Sequence, residues 1–315
     1  MPAQGKDIKR NTNSLFSASE LKPFLDFVES EFQFKLKWYN SASAERRLQK
    51  TIKSLRLDSL VELQYSLQNN LLSFQNFIGE FTVNVTEVFR EPESLKELKT
   101  SVLPFFRKTE EIKILLVGTS SGEELATLCI ILSENGMLDR SKIVATDIST
   151  RVLDKANKPA LLKSDLPFGN ENYLRAGGFR ELDYYFLGAG AYAYLEESLL
   201  KNVKFKTFDI CHSQLNERFD LIICKNVLIY FQYDEQHHLI NNLGQHMKEK
   251  AFLALGEKES ILRLQNSNYS FSSVSLEHNI YRKIWTMKKN YLIVALALFS
   301  LILNAQESYR FAFYN

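Results

Sequence analysis

A chain of 315 residues with 45% apolar and 24% charged residues has the composition of a soluble globular protein, with material for about two domains. Its formal net charge of +2 excludes a global attraction to nucleic acid or to an anionic membrane, so a charged partner must be met by a local patch. Cys129, Cys211 and Cys224 form no CxxC pair, and Met1 to Phe16 lacks the apolar run of an export signal; together these predict reduced thiols in a cytoplasmic protein.

Periodicity begins with Leu21, Phe24, Leu25 and Val28 at helical spacing, behind Ser17 and Ser19 as possible caps. A second helix is expected over residues 44–57, with Leu48, Ile52 and Leu55 on its apolar side. Arg46, Arg47, Lys50 and Lys53 recur there at offsets of three and four and are read as one basic face. Helical patterning continues over 60–67 and 71–81 without strand-like alternation. Residues 1–82 are therefore expected to form an all-α N-terminal domain, followed by a linker and cofactor-cleft segment over 83–108.

From residue 109 the pattern becomes strand, helix, strand. An apolar run, 112–117, ends at Gly118; a helix is expected over 123–132, and a second run, 143–145, leads to Asp147. Further strands are expected at 203–208, 219–224 and 251–255, with a helix over 234–247. This alternation predicts a Rossmann-like α/β domain over 109–286, built on a parallel sheet whose ligand lies beyond the carboxyl ends of the strands. Tyr184, Tyr185, Phe186, Tyr192 and Tyr194 flank the turn Gly188-Ala189-Gly190, which predicts a hairpin and hence a small β insertion at about 179–203. Residues 287–315 open with Met-Lys-Lys and an apolar run of about 15 residues, the grammar of a signal peptide and short for a membrane span. Two readings stand for this tail: a junction with a neighbouring reading frame, or a segment that docks on a membrane or on the domain.

Four clusters carry chemistry. Gly118 to Glu124 is a small-residue turn that opens a helix, where glycine lets a ligand approach the backbone. Glu123 and Glu124 would repel a phosphate at that helix start but suit a cation, such as the ammonium and sulfonium of S-adenosylmethionine. Asp147 ends the second strand, placed either to accept ribose hydroxyls or to cap the following helix. Asp209 holds an equivalent rim position, where it could face an adenine. Lys225 and Asn226 form a polar break after a buried strand, and Asn84, Thr86 and Arg90 can converge on an interdomain cleft. Core strand with solvated loop, and linker helix with solvated arginine, are the alternatives for these last two. His237, His238 and His246 lack the i, i+4 spacing of a metal pair, so no metal is expected.

These segments in this order resemble the CheR family of chemotaxis receptor glutamate methyltransferases. Asn84, Thr86 and Arg90 match N-x-T-x-F-F-R, with Val88 in place of the first phenylalanine; Ser120 to Glu124 match S-T/S-G-E-E; Thr146 to Ser149 match S/T-D-I-S/D. Phe219 to Phe231 follow F-D-x-I-x-C-R-N-V-L-I-Y-F with Lys225 for the arginine, and Leu255-Gly256 with Glu259-Ser260 match L-G-x-x-E-S. Leu125-Ala126 replaces the usual Pro-Tyr. The likeness spans roughly residues 15–285.

The resemblance implies an S-adenosylmethionine-dependent protein-glutamate O-methyltransferase that releases S-adenosyl-L-homocysteine. Its cofactor residues would be Asn84, Thr86, Arg90, Gly118, Glu123, Glu124, Asp147, Asp209, Ile210, Lys225 and Asn226, with Arg90 and Tyr230 near the transferred methyl. The partner implied is an acidic helical cytoplasmic region of a chemoreceptor, docked on Arg46, Arg47, Lys50 and Lys53 by a monomeric enzyme. Membrane contact would come only through the receptor or the tail. Methylation of another protein or a small acid, or a non-catalytic S-adenosylmethionine-binding signalling module, are the competing functions. A glutamate of pKa about 4.3 is already ionised at neutral pH, so methyl transfer to it needs no general base, in keeping with a sequence that shows no Ser-His-Asp or Cys-His set.

Overall fold

The computed structural model describes residues 15–83, 86–188, 190–262 and 268–284. Four capped helices come first. In α1 (Ala18–Phe32) the Glu20 carboxylate accepts from the Ser17 amide at 3.0 Å, and α2 (Ser41–Ser54) is capped by Asn40, whose side chain accepts from Ser43 N. Ser59 and Ser73 do the same for α3 (Leu60–Gln68) and α4 (Phe74–Phe81), satisfying amides that the first turn leaves free. Their apolar faces meet in an aromatic cluster, with Phe77 6.2 Å from Phe24 and 5.6 Å from Phe81 between ring centroids. A short α5 (Pro92–Glu97) starts on a proline, as first turns allow.

The remaining elements are β1 (Ile112–Val117), α6 (Glu123–Glu134), β2 (Ser141–Asp147), α7 (Thr150–Ala156), β3 (Ala160–Leu162), α8 (Leu166–Arg175), β4 (Phe186–Leu187), β5 (Tyr192–Leu195), β6 (Val203–Thr207), β7 (Phe219–Cys224), α9 (Gln236–Gln245), β8 (Met247–Leu255), β9 (Ser270–Ser275) and β10 (Ile280–Ile284). Seven strands form one sheet in the order β6-β2-β1-β7-β8-β10-β9. Neighbours from β6 to β8 are parallel, and β10 runs antiparallel to both β8 and β9. The fold is thus Rossmann-like α/β with an all-α N-terminal region. Chain order reverses between β1 and β7, and such a switch point opens a crevice at the carboxyl ends of the two strands.

Alternation along β1 sends Ile112, Ile114 and Leu116 to one face of the sheet and Leu115 and Val117 to the other. The first face is covered by α6, the 88–106 segment and the β insertion. The second is covered by α9 together with Phe24, Leu48, Leu63 and Phe77 of the leading helices, in a single buried cluster. The seam is stitched by backbone: Asn40 N donates to Tyr230 O at 2.9 Å and Gln232 N to Trp38 O at 2.7 Å.

Two expectations about strands need correction. The insertion is a three-stranded antiparallel sheet, β3-β5-β4, and it begins at residue 160 instead of about 179, because three residues of Ala-Leu-Leu carry no period-two signal. β8 begins at Met247 instead of residue 251; its polar start, Lys248 to Lys250, extends past the buried part of the sheet. Among the described residues no helix is long and apolar enough to cross a membrane. Asn84 and the 287–315 tail lie outside the described residues.

Candidate active site

A pocket opens at the switch point, beyond the carboxyl ends of β1 and β7. Thr86, Arg90, Gly118, Glu124, Asp147, Asp209, Ile210, Lys225, Asn226 and Tyr230 all line it. Residues up to 144 positions apart in sequence, Thr86 and Tyr230, are thereby brought together. Glu123 does not line it: the Ser121 hydroxyl donates to both its carboxylate oxygens, at 3.0 and 2.7 Å. Of the paired glutamates, Glu124 is the one in the pocket.

The floor is the turn after β1. Gly118 has φ +78, and a Cβ there would stand 2.6 Å from Val227 Cγ2, so the position demands glycine on two counts. Ser120 also adopts a left-handed backbone, φ +52, fixed by its amide, which donates to Asp147 Oδ2 at 3.0 Å. Asp147 Oδ1 accepts from Ser149 N at 3.1 Å, so this aspartate braces the turns after β1 and β2 and lines the pocket, while the N-cap position of α7 falls to Ser149. Asp209 accepts from the Cys211 amide at 2.8 Å. Burial raises the pKa of Glu124, Asp147 and Asp209, that of Glu124 to about 7.

The wall after β7 is held by a further carboxylate, Glu91. Lys225 Nζ lies 3.0 Å from Glu91 Oε2, with side chains only 4% and 10% exposed, and Asn226 Nδ2 donates to Glu91 Oε1 at 3.0 Å. The Lys225 ammonium is therefore committed to Glu91 and to Ser94 Oγ at 3.3 Å. Glu91 and Asn226 both have left-handed backbones, φ +55 and +59, a conformation that costs energy outside glycine and gathers at functional sites. On the Glu91 carboxyl, burial raises the pKa and Lys225, Asn226 and the Glu257 amide outweigh it, leaving a net lowering.

The helical region supplies the last wall. Tyr39 lines the pocket at 8% exposure. Arg47 leaves the basic face assigned to it: its guanidinium stands 4.2 Å from the Tyr230 ring centroid and lines the pocket, a cation-π contact. Burial lowers its pKa. Arg46, Lys50 and Lys53 stay exposed on α2. The reason is helical geometry: Arg47 is one residue, about 100°, round from Arg46. Tyr39, Arg47, Glu87 and Val227 as wall residues were not foreseen; their signal is the tertiary seam, which a single sequence does not display.

The donor set fits a cationic nucleoside. Four carboxylates, Glu87, Glu124, Asp147 and Asp209, line one pocket, a glycine cradle admits close approach to the backbone, and the buried Ser120 hydroxyl has no hydrogen-bond partner. Among the described residues no group of three His, Cys, Asp or Glu side chains is placed to hold a metal ion.

Comparison with known proteins gives the same chemistry. The family model "CheR methyltransferase, SAM binding domain" matches residues 84–279. The putative methyltransferase Cher3 of Pseudomonas putida is 29% identical over 266 residues, covering 84% of this chain and 96% of that protein. The chemotaxis protein methyltransferase of Borreliella burgdorferi is 28% identical over 276 residues, covering 83% and 95%, and that of Salmonella typhimurium 29% over 227 residues, covering 69% and 75%. With the match extending over more than half of its length and the pocket built for a cationic nucleoside, the chain belongs to the CheR methyltransferase family and takes its methyl group from S-adenosylmethionine.

Proposed function

We propose that the acceptor is a glutamate side chain on the cytoplasmic helical region of a chemoreceptor-type protein, converted to its methyl ester. The observation that carries this reading is the pair of guanidiniums, Arg47 and Arg90, that line the same pocket as Tyr230, an arrangement suited to an anionic acceptor. When bound, S-adenosylmethionine supplies an electrophilic sulfonium methyl. Glu124 in its ionised form would hold the cofactor's ammonium, Asp147 and Asp209 would accept its hydroxyl and amino hydrogens, and the Gly118 turn would let it approach the backbone; Asn84, Thr86, Ile210, Lys225 and Asn226 complete the proposed set, from which Glu123, turned to Ser121, drops out. Arg90 orients the acceptor carboxylate, and the Tyr230 hydroxyl donates a hydrogen bond beside it. Arg47, stacked on the Tyr230 ring, restricts where that ring can lie. The carboxylate is ionised before it enters, so these residues position, exclude water and do not move a proton.

Docking is proposed to use the exposed Arg46, Lys50 and Lys53, whose potential complements an acidic helix. The insertion sheet leaves β3 and β4 as its edges, with Leu187, Tyr192 and Tyr194 exposed, and such an edge suits addition of a receptor tail as a strand. The enzyme would act as a cytoplasmic monomer. The test is incubation of the full chain with labelled S-adenosylmethionine and receptor cytoplasmic fragments, followed by assay for base-labile methyl esters. Transfer to small acids or to other proteins, with none to receptor glutamates, would overturn the acceptor assignment.

A further inference from the structure

The late element ending in Glu259-Ser260 has no part in the chemistry described so far, yet one of its side chains reaches the turn after β7. Glu259 is 3% exposed, a carboxylate withdrawn from water whose hydrogen bonds come from backbone amides. Oε2 accepts from Asn226 N at 2.9 Å and Gly256 N at 2.7 Å, and Oε1 accepts from Ile229 N at 3.2 Å. Asn226 and Ile229 bracket the turn that carries the chain from the end of β7 to Tyr230. A single carboxylate thus ties both ends of that turn, and the left-handed Asn226 is held by it on one side and by Glu91 on the other. Glu259 is itself anchored from behind. The Ser260 and Tyr281 hydroxyls lie 3.1 Å apart, and Asn279 Nδ2 donates to Gly256 O at 3.1 Å.

We propose that Glu259 is a positioning residue for methyl transfer: its carboxylate fixes the 226–229 turn and so sets where Tyr230 meets the acceptor. The inference rests on the acceptor-site role proposed above for Tyr230. A carboxylate is suited to the task because it accepts several amides at once and donates none. Glu259→Gln keeps the size but puts a donor where an acceptor is needed, so at least one of the three amides loses its partner; Glu259→Asp keeps the charge at shorter reach.

The test has a structural and a kinetic arm. In the ligand-free protein, amide hydrogen exchange at Asn226 and Ile229 is expected to accelerate about tenfold in Glu259→Gln, the effect of losing one charge-assisted hydrogen bond. S-adenosyl-L-homocysteine affinity, carried largely by Glu124, Asp147 and Asp209, is expected to change less than about threefold. With an accepted receptor fragment, kcat should fall about tenfold in Glu259→Gln and less in Glu259→Asp. In a Tyr230→Phe background the same Glu259→Gln change should cost less than about threefold, because residues that act through one another are not additive. Full additivity, an unchanged kcat, or unchanged exchange would overturn the proposal. Loss of fold in both Glu259 variants would overturn it too, by making Glu259 a residue of the fold. If the wild-type chain methylates no receptor glutamate, the acceptor reading fails, and the exchange arm still decides whether Glu259 holds the turn.

Discussion

Lowering the pH from 7.5 to 6 is expected to weaken cofactor binding about eightfold through one residue, Glu124. Burial lifts its carboxyl to about 7, with Glu91 and Glu259 adding to the rise and Lys225 and Arg90 opposing it. A raised carboxylate pKa means that the free protein favours the neutral form, whereas an ammonium ligand favours the ionised one. Binding therefore expels a proton below pH 7, and the apparent dissociation constant scales as 1 + 10^(7 − pH). That factor is about 1.3 at pH 7.5 and about 11 at pH 6, a difference of about 1.2 kcal/mol. Titration calorimetry with S-adenosyl-L-homocysteine, in two buffers of different ionisation enthalpy, reads both the affinity and the proton released. Glu124→Gln should bind more weakly at pH 7.5 and lose this dependence down to pH 6. A flat wild-type profile, or a slope that survives in Glu124→Gln, would refute the assignment of the ammonium to this side chain.

Other perturbations separate the walls of the pocket. Gly118→Ala should reduce cofactor affinity about tenfold or more, since a Cβ 2.6 Å from Val227 Cγ2 forces the turn to shift; calorimetry that finds wild-type affinity would count against the cradle. Glu91→Ala should destabilise the fold by about 3–5 kcal/mol, the usual cost of leaving one partner of a buried pair alone, and urea unfolding with a loss below about 1 kcal/mol would show that Lys225 finds water instead. Replacing Arg46, Lys50 and Lys53 together by alanine should raise KM for a receptor fragment about tenfold and flatten its salt dependence with kcat unchanged. Arg47→Ala should lower kcat about tenfold with little change in salt dependence, and the reverse pattern would return Arg47 to the docking face.

The elements best read from sequence are those whose own residues enforce them. β1 and β7 were expected at 112–117 and 219–224 and are found there, because an apolar run buried on both faces ends abruptly at Gly118 and at Lys225. α7, at residues 150–156, is the helix expected to follow Asp147. α8 went unread: Pro167 and Gly169 lie inside it and only Gly169, Asn172 and Tyr173 are buried, so neither composition nor periodicity marks it. The site shows the same division. Motif residues at strand ends were legible because topology alone brings such ends together. Arg47 was misplaced because its partner, Tyr230, is 183 positions away, and Glu91 and Glu259 show their use only when Lys225, Asn226 and Ile229 arrive opposite them.

The shared core explains why the pocket needs the leading helices at all. A sheet buried on both faces requires two covering layers, and one face here relies on Phe24, Leu48, Leu63 and Phe77 for much of its cover. Those helices cannot drift without exposing Leu115, Val117 and Ile222, residues that are 0–3% exposed in the assembled chain. Apolar packing thus holds α2 over the carboxyl ends of β1 and β7, and the hydrogen bonds between residues 37–40 and 230–232 fix its register. Tyr39 and Arg47 become pocket residues as a consequence of that packing. On the proposed reading, an acceptor would then enter along the seam between the helices and the sheet, where Arg46, Lys50 and Lys53 on the solvent side of α2 would bind its flanking acids while Arg90 and Arg47 would receive the side chain to be esterified.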